Sequence, residues 1–503
     1  MIVLDGHTLS LEQIVAVADG AAVTIGDEAR AAVTASRAVV DRAAAGEAAV
    51  YGVNTGFGSF AQTRIDRADL EQLQLNLVRS HAAGAGEPLP VRAVRAAMAL
   101  RANVLAKGYS GVRPETLDAL IACLNHDIHP FVPSRGSVGA SGDLAPLAHI
   151  ALALIGEGDV WDGTACTPAA AALAAAGIAP IRPAAKEGLA LVNGTQASTA
   201  VLALAVADAA RLARAADVVA ALTLDALRGS IAPFDARIHA ARPHVGQRVS
   251  ADNLQRLVAG SPLNHSHANC GRVQDAYSMR CVPQVHGAAR DAIAWVRGVV
   301  EIEANSATDN PMVFADDGAI VSGGNFHGAP VALAADTLAL AVVQLATISE
   351  RRSERLVNPA LSGLPAFLTR HGGLESGLML AQVTAAALTS ELKTLAHPAS
   401  VDTIPTSANQ EDHVSMSMHA ALKADRAVTL AAHVVAVELV CACQALDLLA
   451  PLVSSPPLMQ VHARVRAAIA PLAADRPPAP DIAAARALIA SGAVEYACGV
   501  VVN

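Results

Sequence analysis

The sequence predicts a mostly α-helical protein, with a long antiparallel central helix bundle preceded by a mixed helix and loop N-terminal region. Three observations lead there. Of the 503 residues, 53% are hydrophobic and only 16% are charged, enough to build a large core. Aromatic residues make up just 3%, and much of the apolar content is alanine, which suits close-packed helices better than a β-sandwich. Apolar residues also recur at spacings of three and four over several long stretches.

The first region, residues 1–193, combines shorter helices with loops such as Gly52-Val53-Asn54-Thr55-Gly56-Phe57-Gly58. That loop matches neither G-x-G-x-x-G nor a P-loop, so it gives no case for a nucleotide. In Gly136-Ser137-Val138-Gly139-Ala140-Ser141-Gly142-Asp143, the aspartate reads as an N-cap and Pro146 as a first-turn proline. They open an apolar helix through Leu147, Ile150 and Leu154 that stops near Gly156. The second region, 194–503, holds the bundle and the C-terminal helices. Between Thr195 and Gly229, Leu202, Val206, Ala209, Leu212, Ala216, Val219 and Leu222 form one apolar face. Asp208, Arg211, Arg214 and Asp217 follow another face, read as a single exposed stripe. Similar patterns run from Pro330 towards Arg351, Gly377 towards Leu395 and His419 towards Leu449, with Gly, Pro and Asn clusters between them. No Ser/Gly tract or charged block marks a flexible linker.

A net charge of −9 argues against a nucleic-acid partner, which would need a basic face. Seven scattered cysteines fit a reducing compartment without a disulfide framework. His265-Ser266-His267-Ala268-Asn269-Cys270 lacks a second ligand pair at zinc spacing, so no metal is expected. The uncharged run Gly188 to Ala207 carries Asn193, Thr195, Gln196, Ser198 and Thr199, and Asp336, Glu350, His433 and Glu438 interrupt other apolar stretches. With no basic-then-apolar start after Met1, the expectation is a cytoplasmic protein without a membrane segment.

Ala140-Ser141-Gly142 carries the most chemistry. If the Gly142 amide nitrogen attacks the Ala140 carbonyl and two waters leave, a five-membered ring with an exocyclic methylidene results. Glycine leaves the attacking nitrogen unobstructed and tolerates the strained dihedrals of such a turn. Natural side chains supply nucleophiles, acids and bases but no strong electrophile. A G-x-S-x-G nucleophile is excluded, since Arg135 takes the first glycine position for Ser137 and Asp143 the last for Ser141.

Polar and glycine-rich islands recur along the chain in a fixed order: Tyr51 to Gly58, Asn76 to His81, the Ala-Ser-Gly stretch, Glu187 to Gln196, Val273 to Cys281, Asn305 to Pro311, Gly323 to His327, and Thr406 to Met416. Together they resemble the aromatic amino-acid ammonia-lyase family, most closely its histidine-acting branch, from about Tyr51 to Leu449. The resemblance implies a mostly helical homotetramer with active sites shared between subunits. It also implies a 4-methylideneimidazole-5-one group formed from Ala140, Ser141 and Gly142, with no external cofactor.

By the same resemblance Tyr51 is the base that takes the substrate's β-proton, and Tyr277 the second tyrosine, near the electrophile. Arg280 holds the substrate carboxylate, a task suited to a planar bidentate donor. Asn193 and Gln274 hydrogen-bond the substrate or the ring, and Asn325 and Phe326 shape the pocket. Ser80-His81 and Glu411 match the histidine selectors, because a carboxylate facing an imidazole N–H makes a charge-assisted bond that a phenyl ring cannot return. His286, Val282 and Met279 depart from the family pattern, and the tail after Val494 shows no family motif. The expected reaction is elimination of ammonia from L-histidine to give trans-urocanate. A tyrosine or phenylalanine ammonia-lyase, an aminomutase and a catalytically silent helical scaffold are the alternatives.

Overall fold

In a computed structural model of the chain, the apolar periodicities from Thr195, Pro330 and His419 become helices of 31, 29 and 32 residues, Gln196–Ala226, Ala329–Val357 and Ser417–Leu448, and a helix of 23 residues that the sequence reading did not single out spans Val282–Ala304. A further helix, Met379–Leu395, fills the stretch predicted from Gly377. The structure describes residues 1–503 apart from Asn269 and Arg272 and the side chain of Ser59. Asn269 belongs to the His265–Cys270 stretch considered above, so that part of it lies outside the described residues. Strand content among the described residues is small, four two-stranded sheets such as Ile2–Leu4 beside Val23–Ile25.

The chain divides into two compact units. Unit 1 comprises Met1–Ala207, Arg297–Asp336 and Pro398–Lys423; unit 2 comprises Asp208–Val296, Thr337–His397 and Ala424–Asn503.

In unit 1, three helices pack on one another: Leu70–His81, Leu144–Leu154 and Glu187–Val192. Their apolar positions alternate at helical spacing, with Leu77, Val78, Leu147, Ile150 and Leu191 almost wholly buried. The approach of two of them depends on Gly188, where an added Cβ would lie 2.8 Å from the Gln74 carbonyl oxygen. Any side chain at 188 would force these helices apart.

In unit 2, buried charges tie the long helices together. Arg352 and Glu438, both fully buried, form a bidentate pair, and the Thr223 hydroxyl donates to the same carboxylate at 2.7 Å. Asp217 corrects the predicted exposed stripe: Asp208, Arg211 and Arg214 are partly buried, but Asp217 is completely buried. Its carboxylate receives hydrogen bonds from Ser250, Asn253 and Arg290 and contacts His286 Nδ1 at 2.7 Å. Periodicity cannot distinguish a solvated aspartate from one whose partners come from another helix.

Two helices, Ala329–Val357 and Ser417–Leu448, are long and apolar enough to cross a membrane. Within the chain 72% and 78% of their most apolar windows are buried, the situation of core helices. The acidic residues that interrupt them are paired, Asp336 with Lys423 and Glu438 with Arg352.

Candidate active site

The Ala-Ser-Gly tripeptide ends two residues before the helix Leu144–Leu154, as the sequence predicts. Gly142 has φ +71°, a left-handed value that glycine adopts without a Cβ penalty. Its backbone pairs with Gly194, and the Asp143 amide donates to the Gly194 carbonyl at 2.7 Å. A Cβ on Gly142 would lie 2.2 Å from that carbonyl oxygen, so only glycine fits this crossing of two loops.

The Asp143 side chain makes no cap bond to its own helix. Instead its buried carboxylate accepts from Ser198 N at 2.7 Å, Ser198 Oγ at 2.8 Å and Ser137 Oγ at 2.8 Å. It thereby caps the N-terminus of Gln196–Ala226, a different helix from the one predicted, and clamps the loop across it. Burial pushes the Asp143 carboxyl up, against the lowering effect of these hydrogen bonds.

Arg101 holds the other side of the crossing. Fully buried, it donates to the Asn193 carbonyl at 2.7 Å, to Gln196 Oε1 at 2.7 Å and to the Ala190 carbonyl. Burial lowers it to about 10, so it keeps its charge near neutrality. Asn193 itself donates from Nδ2 to the Ser141 carbonyl at 3.3 Å. On the far side, Met416 N donates to the Val138 carbonyl at 2.7 Å and Ser415 Oγ to the Gly139 carbonyl at 2.9 Å. A loop gripped from so many directions is preorganised, which a backbone condensation needs.

Ser141 faces a cavity of ≈ 560 Å³ that is also lined by Tyr51, His81, Asn193 and Glu411. Phe57, Phe60, Leu73, Leu77 and Leu189 provide apolar walls. The volume is that of a small-ligand site, with few polar groups on a mostly apolar lining. A second cavity of ≈ 550 Å³ in unit 2, beside Phe234, Arg248 and Asn503, contains none of the predicted residues.

The Ser141 hydroxyl donates to Glu411 Oε1 at 2.8 Å, and the Thr406 hydroxyl donates to Oε2 at 2.6 Å. Between Thr406 and Glu411, three successive non-glycine residues, Ser407, Ala408 and Asn409, have φ of 50°, 53° and 66°. Each such residue costs ~1–3 kcal/mol. The turn returns the chain on itself so that Thr406 N and Glu411 O bond at 3.0 Å. This turn presents the Glu411 side chain to Ser141.

Burial is the largest influence on both titrating neighbours. It pulls His81 down, with Leu77 and Glu411 opposing, so the ring is neutral near pH 7. Ser80 Oγ lies 3.0 Å from His81 Nδ1. Tyr51 is pushed up by burial and further by the Glu411 carboxylate, and only the Gly58 backbone bond works the other way. Unit 1 therefore holds the proton on Tyr51, the wrong direction for a base.

The remaining predicted residues do not line this cavity. Phe326 is half-buried elsewhere in unit 1, and Asn325 donates to the Ala307 carbonyl at 3.3 Å. Gln274, Tyr277 and Arg280 belong to unit 2. Gln274 is exposed, Tyr277 is 70% exposed, and the Arg280 guanidinium carbon sits 4.7 Å over the Tyr277 ring, a cation–π contact. His286, whose place the sequence left open, is fully buried against Asp217.

Sequence reasoning missed Arg101, Thr406 and Ser198. Arg101 had a signal, an arginine inside Met98-Ala99-Leu100-Arg101-Ala102-Asn103, where a charge persists only with buried partners. Thr406 stood at the edge of a recognised island, and Ser198 inside an apolar run, with nothing local to assign either a partner.

Residues 9–467 match the aromatic amino acid lyase family. The chain is 56% identical to a histidine ammonia-lyase of Anaeromyxobacter sp. (strain K), covering 98% of this chain and 99% of that protein. The crystal structure of histidine ammonia-lyase from Trypanosoma cruzi superposes with a TM-score of 0.92 at 46% identity, covering 99% and 95% of the two chains. Tyrosine aminomutase from Streptomyces globisporus superposes at 0.94 with 38% identity, covering 99% and 98%.

Proposed function

Since the chain belongs to the aromatic amino acid lyase family, we propose that it eliminates ammonia from L-histidine to give trans-urocanate. The observation that supports this best is the meeting of Ser141, Glu411 and neutral His81 in one cavity.

We further propose that Ala140, Ser141 and Gly142 condense to 4-methylideneimidazole-5-one. The residues present fit such a group. The Gly142 backbone is left-handed at a crossing that no Cβ could enter, Ala140 is small and buried, and the Ser141 hydroxyl faces the cavity. The group supplies an electron-poor carbon that no ordinary side chain offers, which turns the amine into a better leaving group.

The other steps fall to the chain's own side chains. Glu411 accepts the imidazole N–H, and His81 beside it offers a neutral ring of matching size. Leu73, Leu77 and Leu189 exclude water from the ring. Asn193 holds the Ser141 carbonyl in place. Tyr51 takes the β-proton, which requires a positive potential to oppose its burial and the nearby Glu411.

That potential comes, in this reading, from other subunits of a homotetramer, with Tyr277 and Arg280 contributed across subunit boundaries. The exposure of Tyr277 and the stacked guanidinium support it. Arg280 would anchor the substrate carboxylate, with Gln274 nearby and Phe326 shaping the pocket. The cytoplasm is the proposed location, consistent with seven free cysteines.

The test is a substrate panel. Purified protein is incubated with histidine, tyrosine or phenylalanine, and ammonia and product absorbance are followed. Release from histidine in preference to the others is expected. Release from tyrosine without release from histidine contradicts the assignment, and a β-amino acid product would identify an aminomutase instead.

A further inference from the structure

We propose that Glu411 has an earlier task than binding substrate: it is the proton donor for the second dehydration of Ala140-Ser141-Gly142. The inference rests on the electrophile reading above. Its basis is the contact in the uncondensed chain, where the serine hydroxyl that must be lost meets a carboxylate at 2.8 Å. Among the described residues, the side chain that bonds the Ser141 hydroxyl is this carboxylate, a group able to take up and release a proton. A serine oxygen is a poor leaving group unless it departs as water, so a proton has to arrive as the Cβ–Oγ bond breaks.

The two dehydrations place different demands on the chain. In the first, the Gly142 nitrogen bonds to the Ala140 carbonyl carbon. The Ala140 oxygen then leaves as water with the amide protons of Gly142 and Ser141, and a C=N bond forms. The clamp of Gly142 on Gly194, with Asp143 and Arg101 around it, governs this step. In the second, the Cα–H and Cβ–Oγ bonds of Ser141 break and a Cα=Cβ bond forms. The Glu411 carboxylate takes the Cα proton and passes it to Oγ, while the electron pair of the Cα–H bond becomes the new π bond and the carboxylate is restored. Oγ leaves as water, and no oxidant or reductant is consumed.

The geometry around Glu411 suits this role. Thr406 Oγ1 holds Oε2 at 2.6 Å, which leaves Oε1 directed at Ser141. The left-handed run Ser407-Ala408-Asn409 fixes the backbone that carries it. Once Oγ has left, Glu411 is free to face the substrate. One carboxyl would thus serve first in maturation and then in recognition.

Freshly synthesised full-length protein, followed by intact mass over time, tests the proposal. Wild type should pass to a form lacking two waters. Glu411→Gln keeps a hydrogen-bond partner for Oγ but cannot take up a proton and pass it on. It should accumulate a form lacking one water and slow the second loss by about 10²-fold or more, the usual worth of general acid catalysis. Glu411→Asp should restore a measurable part of the second loss, an effect that a purely structural role would not predict. Thr406→Val, which leaves both reacting groups in place but loosens Oε2, should slow the second loss without affecting the first. Loss of both waters from Glu411→Gln at the wild-type rate overturns the proposal, as does a variant with wild-type helicity that loses neither water. A wild-type chain that never loses water removes the electrophile reading itself, a result distinguishable from both.

Discussion

Replacing Gly142 with alanine tests the loop crossing where the geometry is tightest. The added Cβ would lie 2.2 Å from the Gly194 carbonyl oxygen and 2.3 Å from its carbon, both backbone atoms that cannot swing aside. Holding a non-glycine residue at φ +71° costs about 1–2 kcal/mol. Relieving the overlap means displacing the Gly194 carbonyl from the Asp143 amide, and a buried hydrogen-bonding group left unpaired costs about 1–3 kcal/mol. The sum is about 2–5 kcal/mol, within the range of a severe single substitution. The variant should melt at a lower temperature and, with Gly142 N displaced from Ala140, should keep the unmodified mass. Both are read on one sample, by calorimetry and by intact mass spectrometry. A variant that melts like wild type and still loses two waters would show that the crossing with Gly194 does not control the condensation.

Three other perturbations follow from the structure. Tyr51→Phe is expected to lose lyase activity by about 10²–10⁴-fold, the usual worth of a positioned base, while its mass still shows loss of two waters; retained activity would remove Tyr51 from the mechanism. Arg352→Met should destabilise the protein by about 3–5 kcal/mol because it leaves Glu438 buried and unpaired, and adding Glu438→Leu should recover most of that; a double variant as unstable as the single would refute the pairing argument. Acid should destabilise the chain through His286. Burial lowers its folded pKa below the unfolded value of ~6.5, so the unfolded chain binds the proton first. Its contribution is fully present above that value and declines as pH falls, by up to ~1.4 kcal/mol per pH unit, until the folded pKa is passed. The melting temperature should therefore drop between pH 7.5 and 5.5, and His286→Leu should show a smaller drop; equal drops would clear His286 of the effect.

The helices were legible because their apolar faces persist over many turns. Leu202 to Leu222 needed only a spacing of three and four, and all of these positions are buried. Asp217 was misread because its partners, His286 and Arg290, lie 69 and 73 residues away. The place of the Ala-Ser-Gly motif just before a helix was legible, and its residue types are those the proposed condensation needs. Its clamp was not. Asp143 has the local signature of an N-cap, yet its carboxylate serves a helix that starts more than 50 residues later, as its partner Ser198 shows. Glu411 stood out in the sequence only by resemblance, as a proposed selector for imidazole, and its bond to Ser141 spans 270 residues and could only be seen in three dimensions. Tyr51 gives the opposite lesson: the base role proposed for it comes from resemblance, and its surroundings in unit 1 hold the proton on its hydroxyl.

The most direct measurement of the central claim is the mass of the proteolytic peptide that starts at Gly136, taken from active protein and from Ser141→Ala. The wild-type peptide should be lighter than its sequence by two waters, and treatment with a hydride donor should add two hydrogens to it and abolish ammonia release from histidine. The Ser141→Ala peptide should have its full sequence mass, take up no hydride and come from inactive protein. A wild-type peptide of unmodified mass from protein that releases ammonia from histidine would contradict the account.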